Sequence, residues 1–139
     1  MNTVSDNLKR LRSILKKKGL DAYIIPIADP HLGENIPDHW QIIKWLIGFT
    51  GSAGIAVVTD TFAGLWTDSR YFIQAEKELK DSGFRLMKQG NLPEAGYIEW
   101  LAENLLEWKK IGLDGRIFSI ASFRKLEARL IQKRITIDY

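Results

Sequence analysis

The 139-residue chain contains no cysteine, and this absence removes several chemistries at once. Disulfide bridges, thiolate zinc sites and cysteine nucleophiles are all excluded, because each of them needs a thiol. A chain without disulfides also fits a reducing compartment, so we expect a cytoplasmic location.

Long apolar runs are missing as well. The opening residues, MNTVSDNLKRLRSILKKKG, carry charges throughout, so they predict neither a secretory signal nor a membrane span. The formal net charge of +3 is mildly basic, and nucleic-acid binding would need that charge gathered on one face. We therefore predict neither a membrane nor a nucleic-acid partner.

What the sequence does contain is an alternation of helix and strand patterns. Apolar residues recur at helical spacing in the sets Val4/Leu8/Leu11/Leu15, Trp40/Ile43/Ile47, Tyr71/Phe72/Ala75/Leu79, Tyr97/Ile98/Leu101/Leu105 and Phe123/Leu126/Leu130. Short apolar runs predict strands within 22–27, 54–60, 62–68, 84–88, 110–115 and 135–139. This order predicts a single α/β domain in which helices flank a mixed β-sheet on both faces. Because the last strand pattern reaches the final residue, we expect one domain of a longer chain.

The glycine segment GFTGSAG, residues 48–54, allows three interpretations. A phosphate-binding loop needs a helix directly after the glycines, whereas here a strand follows. A nucleophile elbow needs Gly-x-Ser-x-Gly, and Thr50 stands where the first glycine would be. The third interpretation is a bend, in which Gly48, Gly51 and Gly54 provide positive φ and close backbone approach.

The polar loop after the first predicted strand contains both histidines of the chain. It carries the candidate ligands Asp29, His31, Glu34, Asp38 and His39. Their spacing matches no compact metal motif, so we favour a substrate-facing or interface loop over a metal site.

The segment LWTDSRYF, residues 65–72, places Asp68 and Arg70 where a strand meets a helix, beside Trp66. Ligands bind at the carboxyl ends of strands in open α/β sheets, which favours a site here. The alternative is a helix cap formed by Asp68 with a structural ion pair to Arg70.

Trp45 and Trp108 are expected to be exposed by helical position, and exposed aromatics commonly anchor protein contacts. The residues alone indicate no catalytic constellation.

Four segments in order, DAYIIP, D-P-H, GFTGSAG and WTDSRYF-x-Q-A, resemble the N-terminal domain of cytosolic-type Xaa-Pro aminopeptidases (aminopeptidase P). These enzymes belong to the creatinase/prolidase N-terminal superfamily. The resemblance extends from Leu8 to the closing ITIDY, and the pair GFTGSAG and WTDSRY is its most specific part. It implies a creatinase N-terminal domain-like fold and favours the bend for the glycine segment.

In that family the metal centre lies in a C-terminal catalytic domain, where two Asp, one His and two Glu hold a pair of Mn²⁺ or Zn²⁺ ions. None of those positions falls in this chain. The resemblance therefore implies a non-catalytic domain over residues 1–139 that has no cofactor and no peptidase activity of its own. The whole enzyme would remove an N-terminal residue that precedes proline from peptide substrates.

The resemblance also implies what this domain contributes and which residues do so. It would shape the substrate entrance, contact its own catalytic domain and mediate contacts in a homodimer. The candidates are His31, Asp68, Arg70, Trp66 and Trp45. Relatives often have serine and tyrosine where Gly33 and Asn35 stand here, and glycine in place of Ser69.

Two other functions remain open. The chain could be a stand-alone binding or assembly module that uses its aromatic and Asp-x-Arg surfaces. It could also be the N-terminal domain of a creatinase-type amidinohydrolase, because those enzymes share the architecture.

Overall fold

The computed structural model describes residues 4–28, 41–89 and 96–139. The α-helices are α1 (Val4–Lys18), α2 (Ile42–Ile47), α3 (Phe72–Glu78), α4 (Tyr97–Asn104) and α5 (Ile120–Leu130). The strands are β1 (Ala22–Pro26), β2 (Ile55–Thr59), β3 (Ala63–Thr67), β4 (Arg85–Lys88), β5 (Lys110–Leu113) and β6 (Thr136–Asp138). One-turn 3₁₀ helices cover Ser69–Tyr71, Gly115–Ile117 and Ile131–Lys133. The predicted order of helices and strands is confirmed.

The strands form one mixed sheet in the order β4-β3-β2-β1-β5-β6. β2 pairs antiparallel with both β1 and β3, whereas β1–β5, β3–β4 and β5–β6 are parallel pairs. It follows that β1, β3, β4, β5 and β6 all run in one direction and only β2 among the described strands is reversed. The predicted α/β class with a mixed sheet is confirmed.

Helices cover both faces of this sheet. α1, α2 and α3 pack on one face, where Leu8, Leu46 and Ala75 meet Val58 and Leu65 of the strands. α4 and α5 pack on the other face, where Leu101 and Leu126 meet Ile24, Val57 and Ile111. Because successive strand residues point to opposite faces, both sets of alternate side chains are buried, and β2 and β3 are apolar along almost their whole length.

Several helix boundaries follow from local chemistry. Gly19 has φ +70° and ends α1. Ser119 caps α5 by accepting a 3.1 Å hydrogen bond from the Ser122 N–H. The helix predicted from Asp68 onward starts instead as the 3₁₀ turn Ser69–Tyr71, because the Asp68 carboxylate holds the Arg70 N–H in a tight first turn.

Candidate functional site

One edge of the sheet carries two of the predicted site residues, Asp68 and Arg70. We call it the C-terminal rim, because β1, β3, β4, β5 and β6 end there and the reversed β2 begins there. In the register, Pro26 lies opposite Ile55, and Thr67 lies opposite Lys88. The glycine segment 48–54 leads into β2 at this rim, and the Asp68–Arg70 junction leaves β3 at the same rim.

Asp68 and Arg70 form a bidentate ion pair on the C-terminal rim. Arg70 Nε lies 2.9 Å from Asp68 Oδ1, and Arg70 Nη2 lies 2.8 Å from Asp68 Oδ2. The Arg70 N–H also donates to Oδ1 at 3.0 Å. Hydrogen bonding to Arg70 holds the pKa of Asp68 below its ordinary value, and the same contact raises the pKa of Arg70. The predicted cap and ion pair are therefore present, and the guanidinium stays exposed at the rim.

Tyr71 links this junction to the glycine segment. Its hydroxyl hydrogen-bonds the Ser52 hydroxyl, and its ring packs edge-on against Phe49 with centroids 6.0 Å apart. The Arg70 guanidinium carbon lies 5.1 Å from the Tyr71 ring centroid, which is a cation–π distance. The hydrogen bond from Ser52 lowers the pKa of Tyr71. Ser52 is therefore a hydrogen-bond partner of Tyr71.

Glu78 of α3 fixes the other side of the glycine segment. Its carboxylate accepts hydrogen bonds from the Thr50 N–H at 3.0 Å, the Thr50 hydroxyl at 2.8 Å and the Gln74 amide at 3.0 Å. Partial burial acts to raise the pKa of Glu78, but these hydrogen bonds outweigh it and the pKa is lowered. Side chains on α3 and at its start therefore hold residues 50–52 in place.

The glycine segment is a bend, as predicted. Gly48 has φ +87° and ends α2 in the left-handed conformation, with its N–H bonded to the Lys44 carbonyl at 2.9 Å. A Cβ at Gly54 would lie 3.2 Å from the Trp66 carbonyl oxygen, so a side chain there would crowd the neighbouring strand. Positive φ and close backbone approach are thus confirmed at these two glycines.

A second Asp-x-Arg junction follows β5 at the same rim. Arg116 Nε and Nη2 lie 3.0 and 2.8 Å from the Asp114 carboxylate oxygens, and the Arg116 N–H donates to Oδ1 at 3.0 Å. The two junctions start three strand spacings apart, or about 14 Å. The sequence analysis did not identify this pair, although the repeated pattern of strand, Asp, any residue and Arg would have revealed it.

The predicted tryptophans occupy different environments. Trp45 is 55% exposed, and it borders an apolar groove of about 430 Å³ that Ile14, Tyr23 and Leu113 also line. Trp108 is exposed as predicted. Trp66 is only 1% exposed and packs against Phe62 and Trp100, so its prediction as an entrance or interface residue is corrected to a core role. Its side chain points to the face covered by α4 and α5, away from the rim.

The polar loop prediction lies outside the described residues. His31, Asp29, Glu34, Asp38 and His39 all belong to the segment 29–40. Within 4–28, 41–89 and 96–139, no three His, Asp or Glu side chains come close enough together to hold a metal ion. None of the described helices is both long and apolar enough to cross a bilayer.

Comparison with known proteins agrees with this architecture. The family model described as the creatinase/prolidase N-terminal domain matches residues 7–138. Aminopeptidase P2 of Arabidopsis thaliana is 39% identical over 138 residues, which are 98% of this chain and 19% of that protein. Xaa-Pro aminopeptidase 1 of Dictyostelium discoideum is 37% identical over 136 residues, which are 98% of this chain and 22% of that protein. The chain thus spans about a fifth of the length of these relatives.

A solved structure extends the likeness to three dimensions. The X-prolyl aminopeptidase of Caenorhabditis elegans, described as a cytosolic enzyme with a di-nuclear active site, superposes with a TM-score of 0.91 at 33% identity. The match covers 99% of this chain and 24% of that enzyme. The fold, the family model and the relatives agree, and the chain belongs to the creatinase/prolidase N-terminal domain family.

Proposed function

We propose that this chain is the first, non-catalytic domain of a metal-dependent Xaa-Pro aminopeptidase that removes an N-terminal residue preceding proline. One observation carries the proposal: the similarity extends over nearly the whole of this chain but covers only a small part of each relative. Two relatives named as aminopeptidases, one of them as an Xaa-Pro aminopeptidase, are 37–39% identical to the chain over 98% of its length, yet the chain spans only about a fifth of their length. A cytoplasmic location forms part of the proposal.

The metal centre of such an enzyme would lie outside this chain. The described residues do not fit a metal pair, because no cluster of three His, Asp or Glu side chains occurs among them. The family resemblance assigns the two Mn²⁺ or Zn²⁺ ions expected in the whole enzyme to its catalytic domain. The present domain would contact that domain and supply part of the surface around the substrate entrance.

The C-terminal rim is the surface we assign to the substrate entrance. Arg70 is held by Asp68 and Tyr71, so its guanidinium is fixed in place while it remains exposed. A fixed guanidinium loses little rotamer entropy when it donates to a peptide carboxylate or carbonyl. Trp45 is an exposed aromatic on the adjoining helix α2 and would provide apolar contact for the peptide or a neighbouring subunit. His31 stays a candidate for this surface from the family resemblance, and it lies outside the described residues.

Grafting tests the proposal directly. The matching segment of the Arabidopsis enzyme would be replaced by this chain, and release of the first residue from an Xaa-Pro peptide would be measured with Mn²⁺. We expect turnover within about tenfold of the parent enzyme, and none from the purified 139-residue chain. Turnover by the isolated chain, or a folded but inactive graft, would contradict the proposal.

The two alternative functions predict different results. A binding module unrelated to catalysis would have a native reading frame that stops after Tyr139, whereas the proposal expects the frame to continue into a metal-ligand-bearing domain. An amidinohydrolase would carry a catalytic domain that hydrolyses creatine and leaves Xaa-Pro peptides intact. The aminopeptidase relatives favour the peptidase over both.

A further inference from the structure

The edge of the sheet opposite the proposed substrate entrance gathers positive charge. We call it the amino rim, because β1, β5 and β6 begin there and the helices α1, α4 and α5 end beside it. Three connections carry its seven cations, which are Lys16, Lys17 and Lys18 before β1, Lys109 and Lys110 at the start of β5, and Lys133 and Arg134 before β6. The carboxylates beside them are Asp21, Glu103 and Glu107.

This surface holds more positive charge than the whole chain. Seven cations against three carboxylates give the amino rim a formal charge of +4, whereas the full sequence, with 20 Lys and Arg and 17 Asp and Glu, carries +3. The remaining residues therefore sum to −1. Arg12 and Asp60, near the end of β2, add one charge of each sign. The basic charge of the chain is thus gathered at one end of the domain, as an anionic partner would require.

Hydrogen bonds join the three connections into one surface. The Asp21 N–H donates to the Lys110 carbonyl at 2.7 Å, and the Asp21 carboxylate accepts the Lys110 N–H at 2.8 Å. The Trp108 N–H donates to the Lys133 carbonyl at 3.1 Å. Within the described part of the chain, Lys109 is the one cation of the seven that forms an ion pair, with Asp21 at 3.8 Å.

Three exposed apolar side chains lie among these cations. Leu106, Trp108 and Ile131 are 70%, 68% and 64% exposed. The Arg134 guanidinium carbon lies 4.7 Å from the Trp108 ring centroid, and Trp108 and Arg134 have φ +69° and +57°. Bulky residues adopt such a backbone only where the surrounding structure imposes it. Exposed apolar residues are ordinary singly, but adjoining ones mark an interaction surface.

Two observations argue against a protein as the partner of this surface. Lysine is depleted in protein–protein interfaces, and six of the seven cations are lysines. On the proposed function the catalytic domain faces the C-terminal rim, which lies at the other end of β1, β5 and β6. A nucleic acid would match the lysines and stack on Trp108, but it would leave Leu106 and Ile131 in contact with water.

We propose that the amino rim binds the surface of an anionic membrane. Peripheral contacts of this kind combine basic side chains, which are attracted to anionic headgroups, with apolar side chains that enter the boundary of the acyl chains. The lysines supply the first signal, and Leu106, Trp108 and Ile131 supply the second. Tryptophan is favoured at that boundary, because its ring is apolar and its indole N–H can still hydrogen-bond.

This contact agrees with the other proposals for the chain. The cytoplasmic leaflet is negatively charged, so the proposed cytoplasmic location brings the amino rim to a suitable surface. A surface contact needs no spanning segment, and the charged N-terminus, from which no membrane partner was predicted, therefore does not oppose it. Binding through the amino rim would leave Asp68 and Arg70 at the opposite rim uncovered.

Co-sedimentation with lipid vesicles tests the proposal on the 139-residue chain and on the grafted enzyme. The vesicles contain phosphatidylcholine with about 30% phosphatidylserine, or phosphatidylcholine alone, since only the former present the negative surface that attracts lysines. We expect the partition coefficient to be at least about 30-fold higher for the anionic vesicles, because each lysine near such a surface contributes roughly a factor of five. It should fall at least about tenfold between roughly 0.05 and 0.5 M NaCl, because salt screens exposed charges.

A matched pair of double variants tests the charges. Lys17→Gln with Lys110→Gln removes two exposed lysines from the amino rim and should weaken binding to the anionic vesicles at least about tenfold. Lys44→Gln with Lys125→Gln makes the same change in net charge on α2 and in the middle of α5, and should weaken binding less than about twofold.

A second matched pair tests the apolar contact. Ile131→Ser removes an aliphatic side chain that is 64% exposed at the amino rim, and we expect it to weaken binding at least about threefold. Ile73→Ser makes the same change on α3, where the side chain is 74% exposed, and should leave binding unchanged.

Four outcomes would overturn the proposal. The first two are equal binding to both kinds of vesicle and equal losses in the two members of either matched pair. The third is tighter binding to a single-stranded RNA of about 20 nucleotides that Ile131→Ser does not weaken, which would assign the surface to nucleic acid. The fourth is binding by the isolated chain but not by the grafted enzyme, which would show that the rest of the enzyme covers the amino rim. None of them touches the peptidase proposal, since that proposal depends on turnover by the grafted enzyme.

Discussion

Arg70 binds the carboxylate of Asp68 with the same hydrogen-bond geometry with which Arg116 binds that of Asp114. In each pair an aspartate directly after a strand accepts the N–H of the arginine two residues later, together with its Nε and Nη2. Each pair also opens a one-turn 3₁₀ helix. The repetition gives an internal control, because one pair adjoins Tyr71 and the glycine segment and the other does not.

Arg70→Ala should alter peptide turnover more than folding. The guanidinium is exposed, so its loss should leave the melting temperature within about 3 °C of the parent. In the grafted enzyme we expect kcat/KM for an Xaa-Pro peptide to fall about tenfold or more. Arg116→Ala removes the matching contact after β5 and should change turnover less. A large loss of thermal stability with normal kinetics would restore a purely structural role for the pair.

Glu78→Gln should reduce stability in a pH-dependent way. The pKa of Glu78 in the folded chain lies below its ordinary value of 4.5, so the carboxylate stabilises the fold when ionised. That contribution is present above pH 4.5 and is lost as the pH falls through the lowered pKa. The melting-temperature difference between the parent and Glu78→Gln should therefore be largest near neutral pH and shrink below pH 4.5.

The exposed Glu127→Gln on α5 controls for the change in net charge. A Glu78→Gln effect that stays constant from pH 7 to about pH 3, or that matches Glu127→Gln, would show that Glu78 does not hold the glycine segment.

Gly48→Ala should destabilise the fold by about 1 to 2 kcal/mol. Gly48 ends α2 at φ +87°, and an L-residue pays roughly that amount in the left-handed region. Gly115→Ala is the matched control, because its added Cβ would meet only ordinary contacts to Tyr139 at 3.6 Å or more. Urea unfolding measures both, and equal destabilisation of the two variants would refute the conformational argument.

Trp66 and Trp45 differ in exposure, so their truncation to alanine should destabilise the fold to different degrees. Trp66→Ala empties a core site and should cost about 3 to 5 kcal/mol of unfolding free energy. Trp45→Ala removes a side chain that is 55% exposed and should cost less than about 1 kcal/mol. Chemical denaturation followed by far-ultraviolet circular dichroism compares the two variants. A small loss of unfolding free energy in Trp66→Ala would make Trp66 a candidate contact residue again.

Most of the fold could be predicted from the sequence, because each helix and strand shows its own characteristic pattern of apolar residues. Leu8, Leu11 and Leu15 recur every three or four residues, and the short runs IAVVT and AGLWT are apolar with β-branched and aromatic residues. The burial of Trp66 could not be predicted in the same way. Helices cover both faces of β3, so every residue of the strand is buried and no alternation distinguishes an inward from an outward side.

The candidate site was only partly predictable for a related reason. The Asp68–Arg70 contact is local and can be inferred from a cap pattern, whereas the Glu78 contacts to Thr50 span 28 residues and depend on tertiary packing. The positive φ of Trp108 could not be predicted from the sequence either, because tryptophan is not a residue type that indicates a left-handed turn.

The reversed direction of β2 has a consequence for how the whole domain is recognised. Because this strand runs against its neighbours, the segment before it meets the segments that follow β3, β5 and β6 on one boundary of the sheet. A molecule that touches this boundary samples stretches of chain from residue 48 to residue 139 simultaneously. Any contact at this boundary therefore depends on the completed topology, because it needs segments that are far apart in the sequence to lie side by side.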